Sequence, residues 1–383
     1  GDEGQVPLLS RRYPIDPRYA LLLGCGNFRR RSTLSLMTRL ALLLLLPAFS
    51  LAAQDVHVRV TPGHAQAGPG NEDLTEFPTI QNALDHHPFA GPGGRVYIEI
   101  APGTYKERVI VTQNHQNITF LGMGKTPGEV VITNSLNAKA AGGTFFTETA
   151  EINGDGFEAD NLTFENAAGN TGQAVAAAVR ADRAVFKHVR FLGHQDTLFA
   201  DYGRQYYLEC FITGGVDYIF GNAAAVFDRS ELNSNGPGFT TAQSRTAPDQ
   251  ATGYVILNSR VTSSIDQSEG PMDDSTPGAK STATAKRSIG LGRPWRPYSR
   301  VVYINTSLPA DENPAGWNNW GKAANESTAW YAEYGSTGPG ASPSTRVKWA
   351  HTLTPAEVDQ FLPRNFLRGK DNWDAEAAAA KLP

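Results

Sequence analysis

Hydrophobic and polar residues alternate over short distances along most of this chain. Val96–Ile100, Val109–Val111, Ile118–Leu121 and Val130–Ile132 each place apolar side chains at every second position, the period of a half-buried strand. The 3.6-residue period of a helix is confined to the two ends. TIQNALD (79–85) follows a proline. TPAEVDQF (354–361) has a threonine before a proline and acids behind it, as helix starts do.

A longer pattern overlies the alternation. The template apolar-x-polar-x-x-apolar occurs at ADNLTF (159–164), FKHVRF (186–191), YLECFI (207–212), FDRSEL (227–232), ILNSRV (256–261) and YINTSL (303–308). Its starts lie roughly 20 to 30 residues apart, with one wider gap at a polar insertion. Such a period predicts a parallel β-solenoid, one coil of short strands per repeat. An antiparallel sandwich also has many short strands, but few Asn-Gly or Asp-Gly hairpin signals occur here. The expected class is all-β, with short helices at the ends.

Composition divides the 383 residues unequally. MTRLALLLLLPAFSLAA (37–53) reads as a signal peptide: Arg39, a short apolar run, then small residues at Ala52 and Ala53. The run is too short for a bilayer and Pro47 interrupts it. Residues 1–36 then read as an upstream extension outside the mature protein, and 54–383 as the working domain. Losing 1–53 removes seven arginines and three acids, so the formal charge moves from −4 to −8. That charge disfavours nucleic acid as the main partner. The expected protein is secreted, without a membrane anchor, and monomeric. Cys210 is the one cysteine left after removal. It sits among Tyr206, Tyr207, Leu208 and Phe211 and reads as a buried thiol. No cysteine and histidine cluster has metal-ligand spacing, so no metal is expected.

The candidate chemistry lies in GHQDTLFADYGRQYYLECFITGGVDYIFGN (193–222). Asp196 and Asp217 are 21 positions apart, about one coil. Residues one coil apart would stack near 4.8 Å. Two carboxylates so close resist double ionisation, leaving one protonated and one charged. Gln173 lies 22 positions before Gln195, another coil, and both amides could donate to a developing oxyanion. Arg293 in LGRPW could hold the ionised acid, with Trp295 two positions on presenting an indole face to a sugar ring or to a substrate's apolar side.

GTYKE (103–107), QAVA (173–176), GHQDTL (193–198), DYIFG (217–221) and LGRPW (291–295) occur in this order. With TAQSR (241–245), AGWNNW (315–320) and YAEYGSTGPGA (331–341), they make the chain resemble the pectin methylesterases (pectinesterases), a carbohydrate-esterase family, from about Gln54 to the C-terminus. The resemblance implies a right-handed parallel β-helix. It implies hydrolysis of the methyl esters of galacturonate units in pectin. Asp217 would be the nucleophile and Asp196 the general acid and then base. Gln173 and Gln195 would form the oxyanion hole, Arg293 would orient Asp217, and Trp295 would line the sugar cleft. By position beside the two aspartate motifs, Tyr218 and Phe199 are further candidate substrate contacts, with core filling as the alternative, and Tyr105 and Glu107 read as structural residues. No metal or organic cofactor is implied, and the partner is methyl-esterified pectin. Some members pair a cysteine matching Cys210 with one a coil later, but Ser230 stands near that place here.

Overall fold

The computed structural model describes residues 53–64, 75–265 and 288–383. The expected upstream extension (1–36) and nearly all of the expected signal peptide (37–53) lie outside the described residues.

One coil shows how the chain is wound. Arg204–Leu208 enters a first sheet, Phe211–Gly214 a second and Ile219–Gly221 a third. Ala224–Asp228 then returns to the first sheet, one layer on. Repetition builds sheets of 12, 7 and 7 strands. Neighbouring strands pair in parallel, as Tyr207 does with Phe186 before it and Phe227 after it. This is a right-handed parallel β-helix, as the period and the resemblance led one to expect, and the sandwich alternative falls.

The sequence template is the corner between the first and second sheets. Its polar third residue is Asn161, His188, Glu209, Arg229, Asn258 or Asn305, and all six have φ between 48° and 57°. This left-handed conformation turns the chain in one step. It favours short polar side chains and is poorly tolerated by β-branched ones. The first template residue points inward. Phe186 stacks on Tyr207 (centroids 4.8 Å, planes 6° apart), and Tyr207 on Phe227 (4.6 Å). The fourth residue forms a second buried column, in which the free thiol of Cys210 lies between Val189 and Ser230. The Ser230 hydroxyl accepts the Cys210 N–H at 3.1 Å. Burial pushes the Cys210 thiol up to about 12, so it is held neutral.

Segments from both ends of the described chain cover parts of the coil. The helix Ile80–His86 buries Ile80, Ala83 and Leu84. Glu107 accepts the N–H groups of Ile80 and Gln81 at 3.1 Å each. Tyr105 donates to the Ala101 carbonyl at 2.7 Å. The structural reading of GTYKE therefore holds. At the other end, Pro355–Val358, Pro363–Phe366 and Ala375–Ala379 are short helices. Phe361, Leu367, Ala375 and Ala379 pack on Tyr206, Val226, Val255 and Val302 of the first sheet. With that outer face covered, the third sheet keeps an open one. Helix is not confined to the ends, as the pattern suggested. Ala138–Ala141 forms one turn of helix, followed by a 3-10 turn at Thr144–Phe146, in the loop leading to the third sheet. The alanines favour that turn, Asn137 caps it, and Gly142 (φ 81°) ends it.

Candidate active site

The outer face of the third sheet carries a column of side chains. Register places Ala178, Phe199, Phe220 and Ala242 on successive strands. With Val175 they form a cluster outside the main core, joined by Trp295 and Trp320. Phe199 stacks on Phe220 at 4.6 Å, and Phe145 leans on Phe199 at 5.0 Å. Beside this apolar strip lies a cavity of about 330 Å³. Gln173, Gln195, Asp196, Asp217, Arg293 and Trp295 all line it.

The two aspartates sit at the corner entering the third sheet, on consecutive coils. Gln195 bridges Val216, and Leu198 pairs with Ile219, so Asp196 lies against Asp217. Both take left-handed backbone, φ 63° and 48°. Aspartate tolerates that conformation, and repeating it on two coils sends both side chains the same way. The Asp196 N–H donates to the Val216 carbonyl (3.1 Å) and the Asp217 N–H to the Phe239 carbonyl (2.7 Å). One coil earlier, Gln173 bridges Gln195 in parallel, the 22-residue step read from the sequence.

Arg293 follows the strand Ile289–Gly292 and reaches back two coils, past the strand Gly238–Gln243. Its Nε donates to Asp217 Oδ1 at 2.9 Å and its Nη2 to Oδ2 at 2.7 Å. Its guanidinium carbon lies 4.2 Å from the Trp320 ring centre and 4.9 Å from that of Phe239. Gly290 leaves room for Phe239, since a β-carbon there would stand 2.5 Å from the ring.

This geometry separates the two carboxyls electrostatically. Burial raises both. At Asp217, Arg293 opposes burial through its charge and its hydrogen bonds. At Asp196, the negative charge of Asp217 adds to burial, and Arg293 opposes only through its charge. Asp196 is held well above the usual carboxylate range. Asp217 is therefore the first to ionise, leaving an anion beside a protonated acid.

Two expected substrate contacts fare differently from the rest. Tyr218 is fully buried, and its hydroxyl meets Ser234 Oγ at 3.2 Å and Thr240 Oγ1 at 3.4 Å. It is a core residue, not a cleft residue. Strand alternation would have put Tyr218 and Phe220 on one face. The left-handed turn at Asp217 restarts the alternation, so Tyr218 and Ile219 both enter the core while Phe220 faces out. Phe199 is on the outer face but lies behind the lining, supporting Phe145 and Phe220. Sequence reasoning missed Thr144, Phe145 and Trp320, which line the cavity. Trp320 had a signal in AGWNNW, while Thr144 and Phe145 lie in a loop without periodicity. Among the described residues no cluster of histidine, cysteine and acidic side chains has metal-binding geometry.

Comparisons with known proteins place the chain among its relatives. The Pectinesterase family model matches residues 69–370. Pectinesterase 2 of Citrus sinensis is 42% identical over 317 residues, 81% of this chain and 58% of its own length. Pectinesterase 31 of Arabidopsis thaliana is 37% identical over 303 residues, 76% of this chain and 89% of its own. This chain spans little more than half the length of the citrus relatives it matches, 58% and 52%. Among solved structures, a pectin methylesterase from carrot superposes with a TM-score of 0.70 at 35% identity, covering 85% of this chain and 97% of that one. A pectin methylesterase in complex with a hexasaccharide gives 0.64 at 27% identity, covering 84% and 98%. The family match across most of the chain, on a fold that gathers its motifs around one cavity, makes this chain a member of the pectinesterase family.

Proposed function

We propose that the protein hydrolyses methyl esters of galacturonate units in pectin, releasing methanol and leaving the polymer length unchanged. The observation that carries this reading is the doubly hydrogen-bonded Arg293–Asp217 pair stacked against a second buried carboxyl, Asp196, on the neighbouring coil. The ionised Asp217 attacks the ester carbonyl carbon. The carbonyl oxygen gains charge, and the Gln173 and Gln195 amides donate hydrogen bonds to it. Asp196 gives its proton to the departing methoxy oxygen, which leaves as methanol, and an anhydride links substrate to Asp217. Asp196, now ionised, takes a proton from water as that water attacks the anhydride. The free galacturonate departs, Asp217 is again the anion, and Asp196 is again the acid. Trp295 offers its ring to the sugar.

We assign the mature enzyme to residues 54–383, secreted after removal of 37–53 and acting as a monomer without cofactor. N-terminal sequencing of the exported protein tests the boundary. The test of function is methanol release from highly methylated pectin, with polymer size followed in parallel. Methanol with constant size, lost in Asp217→Ala and Asp196→Ala variants that remain folded, supports the reading. Shortened polymer, or no methanol from folded wild type, overturns it.

A further inference from the structure

A second cavity lies on the ridge between the third and first sheets, on the coil of Asp196 and the three coils before it. It measures about 490 Å³ and is lined by Gln113, Gln116, Asn153, Asp155, Arg180 and Tyr202. Tyr202 is 64% exposed, one of the few large rings of the described residues left open to solvent. The backbone that carries it is nevertheless fixed. The buried Gln205 amide donates to the carbonyls of Tyr202 (2.8 Å) and Val179 (2.9 Å). The turn lies so close to the previous coil that a β-carbon on Gly203 would stand 2.5 Å from the Ala181 carbonyl oxygen. A turn fixed before binding presents the ring at a defined place, so only the side chain's own rotations are lost when something stacks on it.

The cavity joins the catalytic one through two side chains. Arg180 lines it and lies 5.1 Å from the Phe199 ring centre, and Phe199 stacks on Phe220 in the catalytic floor. The two linings share coils: Gln173 and Arg180 flank the strand Ala177–Val179, and Asp196 and Tyr202 flank Leu198–Ala200. Its lining is an exposed aromatic face with the planar amides of Gln113, Gln116 and Asn153. These suit the apolar face and the hydroxyls of a pyranose ring. Charge selects among sugars. Arg180 is already engaged by Glu148 and Glu151 at 3.4 Å and by Asp201 at 3.6 Å, and Asp155 adds another carboxyl to the wall. The surplus is negative, so a neutral, esterified uronide is accepted over an ionised one.

We infer that the Tyr202 cavity is a remote binding site for a still-esterified stretch of the same polymer whose ester is cleaved at Asp217. The inference rests on the function proposed above for its ligand. An extended substrate would then lie along the third sheet with unprocessed units toward Tyr202.

The experiment compares wild type, Tyr202→Ala and Tyr202→Phe on long, highly methylated pectin, on long, largely de-esterified pectin, and on fully methylated trimers. For Tyr202→Ala, KM on the long methylated polymer should rise about 3- to 10-fold with kcat unchanged. The trimer constants should not move, and Tyr202→Phe should behave as wild type. Equal changes on trimer and polymer, or none on the polymer, overturn the inference while leaving the esterase reading intact. Should wild type release no methanol, retardation of Asp217→Ala in gels containing highly methylated pectin decides the binding question alone. Adding Tyr202→Ala must weaken that retardation, and de-esterified pectin must retard less. Undiminished retardation sinks the site.

Discussion

Arg293 grips Asp217 through two parallel hydrogen bonds, 2.9 and 2.7 Å, across 76 residues of sequence. Both side chains are buried. A carboxylate buried alone would recover its proton; paired with a planar fork it stays an anion. Removing the fork should therefore act through the protonation of Asp217 as well as through its orientation. In Arg293→Ala, Asp217 rises further, so the acid limb of the kcat profile should move to higher pH. The maximal rate should fall about 100- to 1,000-fold. Rates measured from pH 4 to 9 check this. A fall with an unmoved acid limb would leave Arg293 a role in orientation only.

Asp196 predicts a pH-dependent stability of opposite sign to that of an ordinary ion-paired acid. Its folded pKa lies above its unfolded one. The folded state therefore binds more protons once pH exceeds the ordinary carboxylate value near 3.9. Stability is lost as pH rises from there through the folded pKa. Asp196→Asn removes that loss. It should be inactive yet melt higher than wild type at pH 7, with the gap closing toward pH 3.5. Thermal melts at the two pH values measure it. A gap independent of pH would mean that Asp196 is not held protonated.

These carboxyls were legible in sequence because a β-helix converts a one-coil spacing into stacking. The 21-residue step from Asp196 to Asp217 and the 22-residue step from Gln173 to Gln195 survive as register in the structure. The six-fold template was legible for the same reason. One corner geometry recurs, and its left-handed residue selects Asn161, Asn258 and Asn305 among others. Tyr218 was misread because alternation holds only within a strand, and Asp217 ends one run and begins another. Trp320 has no period to reveal it. It reaches Arg293 from an irregular segment, itself at φ 62°, and only the folded chain brings it there.

Tyr218 as a core residue makes a plain prediction. Tyr218→Phe deletes the hydroxyl that meets Ser234 and Thr240 and leaves the ring in place. Stability should drop by about 0.5–1.5 kcal/mol, while KM for pectin stays at the wild-type value. Urea denaturation and steady-state kinetics read the two quantities. A KM rise without loss of stability would return Tyr218 to the cleft.

Cys210 should be chemically silent. Its thiol is buried and its pKa is raised to about 12, and thiols react as thiolates. Native protein of residues 54–383, which contains Cys210 alone, should resist a thiol-specific reagent at pH 8, then react with one equivalent after denaturation. Cys210→Ser should retain full activity. Rapid labelling of the native state would place the sulfur at the surface, contrary to its column between Val189 and Ser230.

Phe239 offers the most specific test of how Arg293 is held. It does not line the catalytic cavity, yet its carbonyl receives the Asp217 N–H and its ring lies 4.9 Å from the guanidinium carbon. Phe239→Leu keeps the carbonyl and an apolar side chain of fair bulk but removes the π face. A cation–π contact of about 0.5–2 kcal/mol corresponds to a roughly 2- to 30-fold fall in kcat. KM should be unchanged, because the ring does not touch the sugar. The acid limb should shift upward in the same sense as in Arg293→Ala, but less, since a looser guanidinium stabilises the Asp217 anion less well. The shift separates positioning from packing. A purely structural Phe239 would lower melting temperature and active fraction together and leave the pH profile of the remaining enzyme where it was.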